Sequence, residues 1–287
     1  MELLILDQIV PKLTPFVSVF IPELPSYGVS TPTNGTLTKR LMGHAILSAL
    51  QTVFSLTPSQ RTKIILVGHD RGARISHRLA IDFAHPDPST SHVLSHFDLQ
   101  GLILMDILPL TVQWTAMATD PSAAAAYFHW TFLARPDMAI PMIKAYGGDS
   151  FCREMLGKGT GNNEAGRASF FAGNSVEIYA RNFGTDHAIR GACEDYADGA
   201  RTEVQLEKED RAAGRKIVVP TLVLWSEGGI GRWGDVGNIW RDWIEQGIRV
   251  DGSGIGDRVG HWVAEEAPDI VTKEVTGFLE SLGVKMG

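Results

Sequence analysis

The residues best suited to chemistry gather at Gly68-His69-Asp70-Arg71-Gly72, a Gly-x-Asp-x-Gly pentapeptide with Arg74 close behind. An apolar run, Ile64-Ile65-Leu66-Val67, leads into it, and Ile75, Leu79 and Phe83 follow at four-residue spacing. Strand, sharp turn and helix in that order make an elbow that exposes a nucleophile, which is usually the serine of Gly-x-Ser-x-Gly. The glycines permit a strained bend and keep side chains off the exposed residue. A serine there attacks carbonyl carbon, whereas an aspartate attacks saturated carbon and forms an ester through its own carboxylate. Asp is also a common turn residue, so the pentapeptide has meaning only with the strand and helix around it.

An ester on Asp70 needs a base to hydrolyse it. Gly260-His261-Trp262, just before the last apolar helical stretch, places an imidazole where the order nucleophile, acid, histidine requires one. Two carboxylates could orient that histidine. Asp106 ends the apolar run Leu102–Met105 and is the preferred candidate; Glu227 follows Val218–Trp225 and reads better as a solvated loop charge. Arg71 and Arg74 put two guanidiniums beside the nucleophile. They would hold it ionised and could bind a substrate carboxylate in paired, planar fashion. Tyr127-Phe128-His129-Trp130 and Tyr196 supply phenol, imidazole and indole donors that could converge on a small anion, although such aromatic runs more often build core.

The surrounding elements alternate strand and helix at both ends of the chain. Phe16–Ile21, Lys63–Val67, Leu102–Met105 and Val218–Trp225 read as strands, with Arg249–Gly256 a Gly-rich candidate for a last one. Thr36–Phe54, Trp233–Gln246 and Ala264–Leu282 read as helices, and Asp82–Asp98 as a polar loop. The middle, from about Gln113 to Gly214, has few strand signals and several helical ones. The pattern predicts an α/β fold with a mostly parallel sheet, helices on both faces, and an α-helical cap inserted after the strand ending at Asp106. The expected division is a core of residues 1–112 and 215–287 with a cap of 113–214. Ligands in such sheets bind beyond the carboxyl ends of the strands, where Asp70 and Asp106 both fall.

Composition bounds the function. The 287 residues are 44% hydrophobic with a net charge of −7, which argues against a nucleic-acid surface. No run reaches membrane-spanning length, and the N-terminus has no signal-peptide pattern. The two cysteines, Cys152 and Cys193, make neither a metal motif nor a disulfide framework. A cytoplasmic enzyme acting on a small molecule is expected. A homodimer is the ordinary expectation for such enzymes.

Taken together, Val67-Gly68-His69-Asp70-Arg71-Gly72-Ala73-Arg74 with His77-Arg78-Leu79-Ala80 resembles the elbow of the haloacetate (fluoroacetate) dehalogenases, α/β-hydrolases close to the soluble epoxide hydrolases. Met105-Asp106-Ile107, Tyr127-Phe128-His129-Trp130, Cys193-Glu194-Asp195-Tyr196, Gly260-His261-Trp262 and Glu265-Glu266-Ala267-Pro268 follow in that family's order, over most of residues 20–285. The resemblance implies an α/β-hydrolase fold with Asp70 as nucleophile and Asp106 with His261 as the acid–base pair. It also implies Arg71 and Arg74 as a carboxylate clamp, and His129, Trp130 and Tyr196 as a halide pocket. The implied reaction is hydrolytic dehalogenation of a 2-halo acid to a 2-hydroxy acid, with no metal or organic cofactor.

The N-terminus departs from the family's pattern. A strand ending in His-Gly normally lies beside the elbow strand, and its following loop supplies an oxyanion-hole N–H. None of the nine histidines here is followed by glycine, and Pro25-Ser26 stands where the family has Arg-Gly. Met1–Leu6 is the one nearby run that could substitute. The departure implies a shortened chain or an altered site, and losing one such donor costs about a hundredfold or more in rate. Two alternatives to dehalogenation follow. One is epoxide hydrolysis, which also uses an aspartate but needs cap tyrosines. The other is a catalytically impaired binding or biosynthetic accessory protein.

Overall fold

The computed structural model describes residues 8–32, 38–88, 91–256 and 258–286. Four strands, β1 (Thr62–His69), β2 (Phe97–Met105), β3 (Thr221–Trp225) and β4 (Val250–Gly254), form one sheet in that order, with every neighbouring pair parallel. Successive side chains of a strand point to opposite faces. Accordingly Leu102, Leu104 and Val223 enter one apolar layer, while Ile103, Met105, Leu222 and Leu224 enter the other. The first layer is completed by Ala73, Ala80 and Ile81 of the elbow helix Arg71–Ala84 and by Trp240, Trp243 and Ile244. The second is completed by Val271, Val275, Phe278 and Leu279 of the last helix, Pro268–Ser281.

The helix Lys39–Val53 packs on the elbow helix through Met42 and Leu47 against Ile75 and Leu79. Its start is capped by Thr38, whose side chain accepts from Leu41 N at 3.2 Å. Thr36 and Leu37, expected in the same helix, lie outside the described residues, as does Met1–Leu6. Between β2 and β3 the chain is helical from Leu110 to Ala212. The last helix of this block, Thr202–Ala212, turns Glu207 back onto the first. Its carboxylate accepts from Leu110 N (3.0 Å), Thr111 N (2.8 Å) and Thr111 Oγ1 (3.0 Å), satisfying donors that a helix start leaves open.

Several elements differ from the expected pattern. Phe16–Ile21 forms no ladder. A strand exists only against a neighbour, and among the described residues β1 is paired with β2 alone. The region 82–98 holds a short helix, Ser91–Leu94, and the opening of β2, because Val93, Leu94 and Phe97 are apolar enough to bury. The helix expected over Trp233–Gln246 contracts to Val236–Arg241, started by Asp235 accepting from Asn238 N at 3.0 Å. The closing helix divides into Val263–Glu266 and Pro268–Ser281, since Pro268 has no N–H to continue the first and suits the first turn of the second.

Candidate active site

The carboxyl ends of the parallel strands bring the chemistry to one edge. β1 ends at His69 and the chain turns at Asp70 with φ +44° and ψ −112°, a region that non-glycine residues rarely adopt. The bend is held by Asp70 N donating to Met105 O (3.3 Å) and Arg74 N donating to Asp70 O (3.0 Å). Only one of the two flanking glycines is demanded by crowding. A Cβ on Gly68 would lie 2.4 Å from Ala73 N, whereas a Cβ on Gly72 would meet nothing within 4 Å.

β2 ends at Met105, and Asp106 follows with φ +50°. Its side chain is buried and doubly engaged. Oδ1 accepts from Ser226 N at 2.8 Å, just past the end of β3, and Oδ2 accepts from His261 Nδ1 at 2.6 Å. That bond fixes the imidazole with Nε2 turned toward Asp70, 4.0 Å from Oδ1. Glu227 is exposed and takes no part.

The segment carrying His261 is clamped from the helical block. His261 N donates to Gly159 O (2.8 Å), Trp262 Nε1 donates to Leu156 O (2.9 Å), and the Trp262 ring stacks on Phe170. Glu266 Oε2 accepts from both Gly260 N (3.0 Å) and Gly161 N (2.8 Å). His69 Nε2 donates to His261 O (2.8 Å), and burial lowers the pKa of its own ring to about 4, so it stays neutral there. Glu266, Ser226 and His69 were not legible as site residues, because a bond to backbone leaves no motif of its own.

The charges are arranged in opposition. Burial works to raise the Asp70 carboxyl pKa, but the Arg71 guanidinium, His261 and Arg74 hold it well below the usual carboxylate range. Burial works to lower the His261 pKa, but Asp106 and Asp70 together lift it to about 10. At neutral pH the resting site therefore pairs a carboxylate with an imidazolium.

Arg71 is buried with Nε 3.7 Å from Asp70 Oδ2 and its guanidinium 3.7 Å over the Tyr196 ring. Its Nη1 donates to Asp195 Oδ2 at 3.4 Å, while Nε and Nη2 have no hydrogen-bond partner. Arg74 donates from Nη1 to Leu108 O (3.0 Å), lies 4.7 Å over Trp130, and leaves Nε unpartnered. His129 and Trp130, on the short helix Phe128–Leu133, and Tyr196, on the helix Asp186–Ala200, close the site from the other side. Their rings pack together, with His129–Tyr196 and Trp130–Tyr196 centroids 5.9 Å apart. Burial lowers the His129 pKa to about 4 and raises that of Tyr196, so both stay neutral donors, and His129 Nδ1 is buried without a partner.

Behind Arg71 is a polar network that local patterns did not signal. Asp195 Oδ1 receives the Lys39 ammonium and Oδ2 receives Tyr27 OH at 2.7 Å. Lys39 N donates to Glu203 Oε1 at 2.7 Å. Among the described residues no cluster of three or more His, Cys, Asp or Glu is placed to hold a metal ion, and no helix is long and apolar enough to cross a membrane.

Comparison with known proteins agrees with this architecture. Residues 4–274 match the model of the alpha/beta hydrolase family. A fluoroacetate dehalogenase of Burkholderia sp is 34% identical over 165 residues, which cover 58% of this chain and 48% of that protein. The chain thus spans about half the length of the curated relative it matches. A structure from Pseudomonas aeruginosa, provisionally described as an epoxide hydrolase, superposes with a TM-score of 0.78 at 25% identity, covering 99% of this chain and 86% of that one. One from Nostoc sp PCC 7120, provisionally described as an alpha/beta hydrolase, gives 0.76 at 30% identity, covering 96% and 86%. A family match that runs through nearly the whole chain, on a parallel sheet that gathers its strand ends at one site, has one conclusion: the chain belongs to the alpha/beta hydrolase family.

Proposed function

We propose that this protein is a hydrolase with an aspartate nucleophile, and that it converts 2-halo acids of the haloacetate type to 2-hydroxy acids. The observation that carries the reading is Arg71, buried with Nε 3.7 Å from Asp70 Oδ2 and with two N–H-bearing nitrogens, Nε and Nη2, that make no hydrogen bond. Unsatisfied buried guanidinium donors next to a nucleophile fit a substrate that brings its own carboxylate.

In the first step an Asp70 oxygen attacks the carbon next to the carboxylate. The carbon–halogen bond breaks, and the halide leaves with the bonding pair toward His129, Trp130 and Tyr196. Donors aimed where charge develops contribute most in the transition state. The product is an ester on Asp70, which no longer carries a charge. His261 then loses one of the two carboxylates that raise its pKa, so it releases its proton to solvent and becomes a base. Water attacks the ester carbonyl as His261 Nε2 takes its proton. The ester C–O bond breaks, His261 returns the proton to the departing alkoxide, and the 2-hydroxy acid is released; Asp70, left as the carboxylic acid, passes its proton to His261 and restores the carboxylate–imidazolium pair. Asp106 orients the imidazole throughout.

Halide release from fluoroacetate and chloroacetate by the full chain tests the reading. Release that Asp70→Asn abolishes supports it; no release by folded protein, or release equal in both, rejects it. Tyr196, a protonated phenol close to Arg71, and the Pseudomonas aeruginosa neighbour's description favour epoxide opening as the second reading. Turnover of styrene oxide with no halide release would make it the first.

A further inference from the structure

Lys39 has no place in the steps above, yet it is 1% exposed, and its ion-pair partner Asp195 is fully buried. Burying two charges away from solvent is expensive, and a pair of this kind often contributes little net stability. Its placement calls for another role. Asp195 adjoins Tyr196, and its Oδ2 lies 3.4 Å from Arg71 Nη1. Carboxylate and guanidinium normally close to two parallel bonds of about 2.7–2.9 Å. Here there is a single, longer contact, with Oδ1 facing the Lys39 ammonium and Oδ2 also accepting from Tyr27 OH at 2.7 Å. Arg71 Nε and Nη2 make no hydrogen bond, and Nε lies 3.7 Å from Asp70 Oδ2.

We propose that Lys39 is a positioning residue: by occupying Asp195 it prevents that carboxylate from forming a two-pronged pair with Arg71, and so keeps the guanidinium free for the carboxylate of the substrate. The inference rests on the reading of Arg71 as the carboxylate-binding group. Without Lys39, the protein's own Asp195 becomes a competitor for the same donors. Removing both members of the pair removes the competitor as well. A purely structural role would show instead as a change in stability, with the acetate affinity of the folded single variant left unchanged.

The test is titration calorimetry of acetate into the full chain, run beside halide-release kinetics on chloroacetate. Lys39→Met is expected to weaken acetate roughly tenfold or more, and to raise KM for chloroacetate more than it lowers kcat. Lys39→Met combined with Asp195→Asn is expected to recover acetate affinity to within about threefold of the parent. Near-UV circular dichroism checks folding; if Lys39→Met is unfolded, Lys39→Gln, which keeps a donor and loses the charge, replaces it. Unchanged acetate binding in the single variant, or a double variant no better than the single, overturns the proposal, as does a parent chain that binds no acetate. A parent that binds acetate but releases no halide sinks the dehalogenation reading alone, and the calorimetric comparison still judges Lys39.

Discussion

Asp70 and His261 face one another with opposite charges, and each sustains the other's ionisation. If Asp70 is the nucleophile and His261 the later base, the two can be separated by mutation. Asp70→Asn should lower halide release by about a thousandfold or more. His261→Gln should release about one halide per chain and then stop, with mass spectrometry finding a carboxymethyl ester on Asp70. The same pair sets a pH dependence of folding. His261 rises from 6.5 to about 10 in the folded chain, so its contribution is complete below 6.5 and is lost as pH climbs through 10. Asp70 falls below 3.8, so its contribution is present above that value and is lost as pH drops further. Thermal midpoints should be level between these limits and fall on both sides, and His261→Gln should remove the alkaline fall specifically. Asp70, Asp106 and His261 could be singled out in the sequence because each stands beside a local signal, the apolar run of a strand or the start of a closing helix. Lys39 and Asp195 could not, since a buried ion pair between residues 156 positions apart leaves no local pattern.

At the scale of elements, the turn after β1 is limited by Gly68 rather than Gly72. Gly68→Ala forces a Cβ to within 2.4 Å of Ala73 N and should destabilise by about 1–3 kcal/mol or more, as overpacking does, whereas Gly72→Ala should be nearly neutral in urea unfolding. The sequence pattern Gly-x-Asp-x-Gly does not distinguish the two, because crowding depends on how the chain returns over the strand. Glu207 is a second element-level constraint. Burial raises its carboxyl pKa, while Thr111 and Leu110 hold it down through their N–H groups. Glu207→Ala leaves those donors unpaired and should cost about 1–3 kcal/mol, read from the same unfolding curves. Helix ends were the least legible feature throughout. Pro268 divides one apolar helical pattern into two helices, and Asp235 starts a helix later than periodicity alone implies. Phe16–Ile21 has the apolar content of a strand, but pairing is a property of two segments and composition describes only one.

Over the whole molecule, the sheet is best protected at its centre. β2 is buried along nearly its whole length, whereas Val67 on β1 is 40% exposed. Amide hydrogen exchange should therefore be slowest in Leu102–Met105 and markedly faster at the β1 amides that do not bond to β2.

The strand ends carry Asp70, Asp106 and His261, whereas His129, Trp130 and Tyr196 ride on the segment between Leu110 and Ala212. On the proposed reading, bond-making and leaving-group reception are written in separate stretches of the gene. If dehalogenation is the activity, a chimera that receives the 110–212 stretch of a homologue should inherit the donor's preference among fluoride, chloride and bromide while keeping its host's nucleophile, and halogen selectivity would then be a modular, graftable trait.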